Sequence, residues 1–148
     1  MRLCQFHLPG QGLRVGVVDG DAVIDVTAPK DGAASVLELI AGTGTADRLE
    51  RRVRQLARRA RTRVPWRDLD RAPSPRRSHL LVPIEAPEVW GAGITYQRSR
   101  AYYEAHRIEA KRAEVANPTL FVRLATSQTA HGRDIPLPPE STQLDFEG

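Results

Sequence analysis

The first 26 residues leave the chain few ways to fold. Met1 to Leu8, Leu13 to Val18 and Ala22 to Val26 are apolar or alternate apolar with polar side chains, and Pro9-Gly-Gln-Gly12 and Asp19-Gly-Asp21 lie between them. Asp-Gly between β-branched runs suits the positive φ angles of a tight two-residue turn, which makes it a strong hairpin signal. A three-stranded antiparallel meander is therefore expected. Cys4 falls inside its first strand, and no basic partner is placed beside it by sequence, so it reads as a small buried apolar residue rather than a nucleophile. His7 stands near the end of that strand without a companion ligand and reads as a structural or solvent-facing histidine.

Beyond the meander the pattern turns helical. Ser35-Val-Leu-Glu38 has the form of a capping box, a serine at the cap and a glutamate three residues on, and predicts a short helix ending at Gly42 or Gly44. Residues 47–63 follow, with Leu49, Val53, Leu56, Ala57, Ala60 and Val64 at helical spacing on one narrow apolar face. The other face carries eight arginines against Asp47 and Glu50, a local charge of +6. The whole chain is only +4, so the remainder sums to −2 and the basic character belongs to this one helix. A basic amphipathic helix suits nucleic acid, an acidic partner or a membrane surface. It has no aromatic residue to stack on bases, the nearest being Trp66. Arginine outnumbers lysine 20 to 2 throughout, so part of the local excess is a general preference. A solvated outer face is the expected role, and nucleic acid is not an expected partner.

Arg67 to Ser78, with Pro73 and Pro75 among arginines, cannot form a regular helix and reads as an extended spacer. The expected organisation is an amino-terminal lobe of antiparallel strands plus helices at 1–70, a linker at 71–78, and a second lobe from 79 to 148 that opens with the strand His79 to Ile84. At 148 residues there is room for one domain with a real core or for two small lobes. One cysteine allows no internal disulfide, the start has no apolar leader, and no run is long enough to span a membrane. A reducing, cytoplasmic setting is expected. The fold class expected is α+β, mainly β.

From Pro87 to Tyr103 an apolar run, Val89 to Thr95, broken by Gly91 and Gly93, passes straight into a polar segment with helical character. Glycines within a strand mark a bulge, a bend or the close approach of a backbone or ligand. Tyr96 and Ser99 then sit at the strand-to-helix junction, where side chains can face a cleft and free helical N–H groups can take an anion. An ordinary buried strand with a tight exit turn explains the stretch as well. The helix is expected to run to about Ala116, half exposed and laced with i,i+3 and i,i+4 charge pairs, with His106 on its surface. Thr119 to Leu124 reads as a strand, Ile135-Pro-Leu-Pro138 as an extended segment, and a further strand is expected from Gln143.

Three pieces of this region, Gly91-Ala-Gly93-Ile-Thr-Tyr96, Pro118-Thr-Leu-Phe121-Val-Arg123 and Asp145-Phe-Glu147-Gly148, stand in order over residues 80–148. Together they resemble the fumarylacetoacetate hydrolase family, whose core runs from G-x-G-x-x-Y through P-x-L-F-x-K to the metal strand D-x-E-x-E-L. The resemblance implies a mixed β-roll catalytic domain, of which this chain holds only the start. Members of the family are longer, and the chain stops within an apparent strand, so a truncated amino-terminal portion is expected.

The resemblance further implies a Mg²⁺ ion, or Mn²⁺ or Ca²⁺, chelated by a 2-keto acid substrate and stabilising the enolate that forms when a neighbouring bond breaks. Glu147 aligns with the first glutamate of the E-x-E pair, whose i,i+2 spacing turns two carboxylates to one side of a strand. The implied catalytic residues are Tyr96, Ser99 and Arg123, with Thr95 and Arg100 toward the substrate. Hydrolytic members carry histidine three residues after the tyrosine, where this chain has Ser99. The form G-x-T-Y-x-x-S-R is similar to that of the branch that dehydrates 2-keto-3-deoxy sugar acids such as arabinonate or xylonate derivatives. Arg123 replaces a lysine, and arginine does not lose its proton in proteins. The expected function is thus a fragment of a 2-keto-3-deoxy sugar acid dehydratase, inactive by itself and a homodimer or higher homo-oligomer at full length. An acylpyruvate or fumarylacetoacetate-type C–C hydrolase and a non-catalytic module using the arginine helix are the alternatives.

Overall fold

The structure, a computed structural model, describes residues 1–27, 31–93, 97–105 and 119–142, without the side chains at 99, 100, 103 and 119. The meander forms as expected: β1 (Leu3–Leu8), β2 (Gly12–Asp19) and β3 (Ala22–Asp25) pair antiparallel, from Leu3 opposite Val17 to Asp19 opposite Ala22. Gly20 takes φ 58° at the second turn, a left-handed conformation that glycine adopts without a Cβ penalty. Two short strands complete the sheet. β4 (Arg63–Pro65) pairs with β3, and β5 (His79–Leu80) pairs with β1, giving the order β4-β3-β2-β1-β5.

Alternation along the strands supplies apolar groups to both faces of this sheet, so both need cover. One face buries Val15, Ile24 and Val26 beneath α1 (Val36–Ala41) and α2 (Ala46–Arg59), which contribute Val36, Leu39, Val53 and Leu56. The other buries Cys4, Phe6, Leu8, Val23 and Leu80 with Leu69 from α3 (Trp66–Leu69). Ser35 caps α1 as its sequence predicts, accepting from Glu38 N at 3.0 Å, and the Glu38 carboxylate accepts from Ala34 N at 2.9 Å. Thr45 caps α2, and Asp47 in its first turn and Arg58 and Arg59 in its last complement the helix dipole.

Polar groups inside the sheet are matched. Gln5, fully buried, donates through Nε2 to Val82 O (3.1 Å) and accepts through Oε1 from Val36 N (2.9 Å). Asp25, also fully buried, accepts from Arg14 Nε and from Thr27 N, each at 2.9 Å. Among the described residues no buried side-chain nitrogen or oxygen lacks a hydrogen-bond partner. The architecture is α+β, mainly β. Among the described residues no helix is long and apolar enough to cross a membrane.

Several boundaries differ from the sequence reading. The arginine helix stops at Arg59, and Arg63–Pro65 leaves it to become a sheet edge, so Val64 packs against the second core cluster and not on the helix. The stretch Arg67 to Ser78, expected to be an extended spacer, opens with the last part of α3, whose Leu69 is fully buried. The strand beginning at His79 joins the first sheet, and Leu81 N donates to Gln5 O at 2.9 Å. The first compact unit accordingly runs through residues 71–78 to Glu85 and takes in the segment from Thr129, while residues 86–128 form the second. Within the first unit His131 Nε2 meets Asp70 Oδ1 at 2.6 Å. The strand expected from Gln143 lies outside the described residues, and Ile135 to Pro138 carries no regular element.

Gly16 on β2 is where the sheet tolerates no side chain. A Cβ there would stand 2.2 Å from Val23 Cγ1, 3.0 Å from the Phe6 ring and 3.1 Å from Cys4 Sγ. Gly16→Ala should therefore overpack the core and cost about 1–3 kcal/mol. Urea unfolding of the two proteins measures this, and an unchanged midpoint would contradict the packing described.

Candidate functional site

The second unit is built on a hairpin of β6 (Glu88–Gly93) and β7 (Thr119–Leu124), paired from Glu88 opposite Leu124 to Gly93 opposite Thr119. The register places Gly91–Gly93 of the first motif piece beside Thr119–Phe121 of the second. Gly91 lies opposite Phe121, and a Cβ on Gly91 would stand 2.3 Å from the Phe121 ring. The ring lies against the bare glycine backbone, which accounts for glycine here by the close approach the sequence suggested. Two residues further along β7, the Arg123 guanidinium stacks on the same ring, 4.6 Å from its centroid, a cation–π arrangement. Strand alternation turns Trp90, Leu120, Val122 and Leu124 to the opposite face, where all four are exposed.

The order strand then helix is also as expected. β6 ends at Gly93 and α4 (Gln97–Ala105) begins four residues later. Ser99 and Arg100 lie in the first turn of α4, with their side chains outside the description. Thr95 and Tyr96, between strand and helix, lie outside the described residues, as do His106 and Glu147. Of the six residues singled out for chemistry, Arg123 is the one whose side chain is placed. Among the described residues no three histidine, cysteine or carboxylate side chains gather closely enough to hold a metal ion.

Groups elsewhere have structural partners. Cys4 is buried, and burial pushes its thiol up to about 11, so the thiolate needed for nucleophilic chemistry is scarce at neutral pH. His7 Nε2 lies 3.2 Å from Pro75 O, and His79 Nδ1 lies 2.9 Å from Arg77 O and 3.4 Å from Ser74 N, with the two rings 5.0 Å apart. A carbonyl only accepts, so His7 Nε2 carries the hydrogen in its contact. His7 is thus the structural histidine that its isolation in the sequence suggests. An open hollow of about 440 Å³ beside α1 and the start of α2 is lined by Glu38, Arg48 and Arg52, none of which belongs to the three motif pieces.

The Phe121–Gly91 contact escaped the sequence reading because it depends on register. Its signal was present as a glycine and an aromatic residue on two separate predicted strands. No family model, curated protein or solved structure matches the chain.

Two predictions rest on these contacts. Gly91→Ala should destabilise the hairpin by about 1–3 kcal/mol, and Phe121→Ala in the same chain should recover part of the loss, since the ring is what the new methyl strikes. Thermal melts of the single and double variants test this; strictly additive losses would rule the contact out. Cys4 favours its neutral form more in the folded chain than in the unfolded one, so its contribution is complete below pH 9.0 and falls away as pH rises toward about 11. Wild type should lose stability relative to Cys4→Ala across that window, and parallel pH profiles would refute it.

Proposed function

We propose that this chain is the amino-terminal part of a metal-dependent 2-keto-acid enzyme of the fumarylacetoacetate hydrolase type, with dehydration of a 2-keto-3-deoxy sugar acid as its reaction. The observation that supports this reading is that the described parts of two of the three motif pieces, Gly91–Gly93 and Thr119–Arg123, lie on neighbouring strands in register. Such an arrangement suits a single site better than three unrelated sequence matches. The mixed β-roll that the hairpin would begin, the cytoplasmic setting and the homo-oligomer belong to the same proposal.

In this reading Glu147 supplies one hard oxygen ligand toward Mg²⁺, Mn²⁺ or Ca²⁺, and the ion, when bound, offsets negative charge developing on the keto oxygen. Ser99 is too weak a base at neutral pH to activate water without a partner. Its hydroxyl and that of Tyr96 can instead hold a departing hydroxyl or a substrate carboxylate, which suits elimination better than hydrolysis. Arg123 keeps its proton, so its role is to pair with a carboxylate rather than to move a proton. Thr95 and Arg100 complete the substrate side.

The test sets both substrate classes before the full-length enzyme with Mg²⁺. A 2-keto-3-deoxy aldonate should lose water while acylpyruvates and fumarylacetoacetate turn over slowly. Ser99→Ala combined with Tyr96→Phe should lower dehydration by roughly 10²-fold, the scale for a lost hydrogen-bond donor at a reacting centre. Faster C–C cleavage than dehydration, or dehydration indifferent to the double variant, would overturn the assignment.

A further inference from the structure

Helix α2 presents an arginine face that the protein neutralises only in part. Its apolar side is locked into the core by Val53 and Leu56, 1% and 0% exposed, so the helix cannot roll and its polar side stays outward. On that side Arg51, Arg54 and Arg58 fall at i, i+3 and i+7, a row about 10 Å long at the helical rise, with Gln55 between them and Arg59 at the edge. Arg54 pairs with Glu50, and Arg59 reaches Asp31 at 3.9 Å. Among the described residues no carboxylate pairs with Arg48, Arg51, Arg58 or Arg61.

The chemistry of the partner follows from what the paired arginines already hold. Carboxylates recur among their partners, Glu50 for Arg54, Asp31 for Arg59 and Asp19 for Arg63 at 3.0 Å, while Arg52 donates to the Asp31 backbone carbonyl. Glu50 is held below the usual carboxylate range, first by its hydrogen bond from Arg54 and then by the Arg54 charge. The planar guanidinium fork binds a carboxylate through two parallel hydrogen bonds. A lipid surface is disfavoured, because the apolar side that would enter it is already used in the core. A single nucleic-acid strand is disfavoured as well, because no aromatic side chain stands in the row to stack on bases.

We propose that the outer face of α2 is a docking surface for an acidic protein segment whose Glu or Asp side chains repeat at helical spacing and fork onto Arg51 and Arg58, with Arg54, held by Glu50, between them. The row presents its guanidinium groups on one rigid element, so the partner meets an ordered surface. This surface does not depend on the enzymatic reading and persists if that reading fails.

The test uses the full chain and a fluorescent poly-L-glutamate peptide at about 150 mM salt, where the Debye length is about 8 Å and distant charges are screened. The expected result is saturable binding that weakens at least tenfold in the triple variant Arg51→Gln, Arg54→Gln, Arg58→Gln. A control with Arg2→Gln, Arg76→Gln and Arg133→Gln removes the same charge elsewhere and should bind as wild type. Circular dichroism verifies that both variants fold, and Arg51→Lys, Arg54→Lys, Arg58→Lys, which keeps the charge but removes the fork, should also bind more weakly. No binding to poly-L-glutamate would overturn the proposal, as would equal losses in the control. A duplex oligonucleotide of matched charge binding more tightly than the peptide would overturn it in favour of a nucleic-acid surface.

Discussion

The first unit depends on a buried amide. Gln5 stands in the middle of the central hairpin with no exposure, and its two ends fix two other parts of the chain, the start of α1 through Val36 N and the segment after β5 through Val82 O. An unsatisfied amide in that position would cost several times what one hydrogen bond contributes net. The sheet can therefore close only when helix and edge strand are both in place. The same logic governs Asp25, whose charge is tolerable because Arg14 and Thr27 N answer it and would become a liability if either were removed. A three-stranded meander is in this way committed to one arrangement of its surroundings.

What the sequence made legible follows from how local each signal is. Asp19-Gly20 fixes its hairpin within four residues, and Ser35 with Glu38 fixes its helix start within the same span, so both were readable without knowledge of the fold. The strand Thr119–Leu124 was readable from its β-branched and apolar run. β4 and α3 were not, because three or four residues carry no periodicity, and β5 was readable as a strand at His79 but not as a partner of β1, since such placement is decided by partners far along the chain. Leu80 is buried because Phe6 lies opposite, and Leu69 because a sheet face lies open beneath it. The candidate site was legible as an ordering of motifs. The contact between its first two pieces was not, because Gly91 and Phe121 meet only through a register that neither strand specifies alone.

The two faces of the β6–β7 hairpin are treated unequally. On one, Phe121 lies against Gly91 and under Arg123. On the other, Trp90, Leu120, Val122 and Leu124 make an exposed apolar band on a sheet of two strands. Two-stranded ribbons are marginally stable in water by themselves. The arginine row on α2 is the reverse case, a helix whose apolar side is fully satisfied and whose outward charge is in excess.

The chain order of the two units makes residues 86–128 an insertion, since both flanks, ending at Glu85 and resuming at Thr129, return to the same body. The return is held by His131 against Asp70 and by Gly132 close to Arg71 O and Ala72, contacts that close a loop of 61 residues. Loop-closure entropy grows only logarithmically, so doubling the insertion would cost about 0.6 kcal/mol, while an exposed polar contact contributes at most about 1 kcal/mol. The host is therefore nearly indifferent to the size of what it carries. Such a scaffold can acquire, lengthen or exchange its guest over evolutionary time without rebuilding the sheet that anchors it.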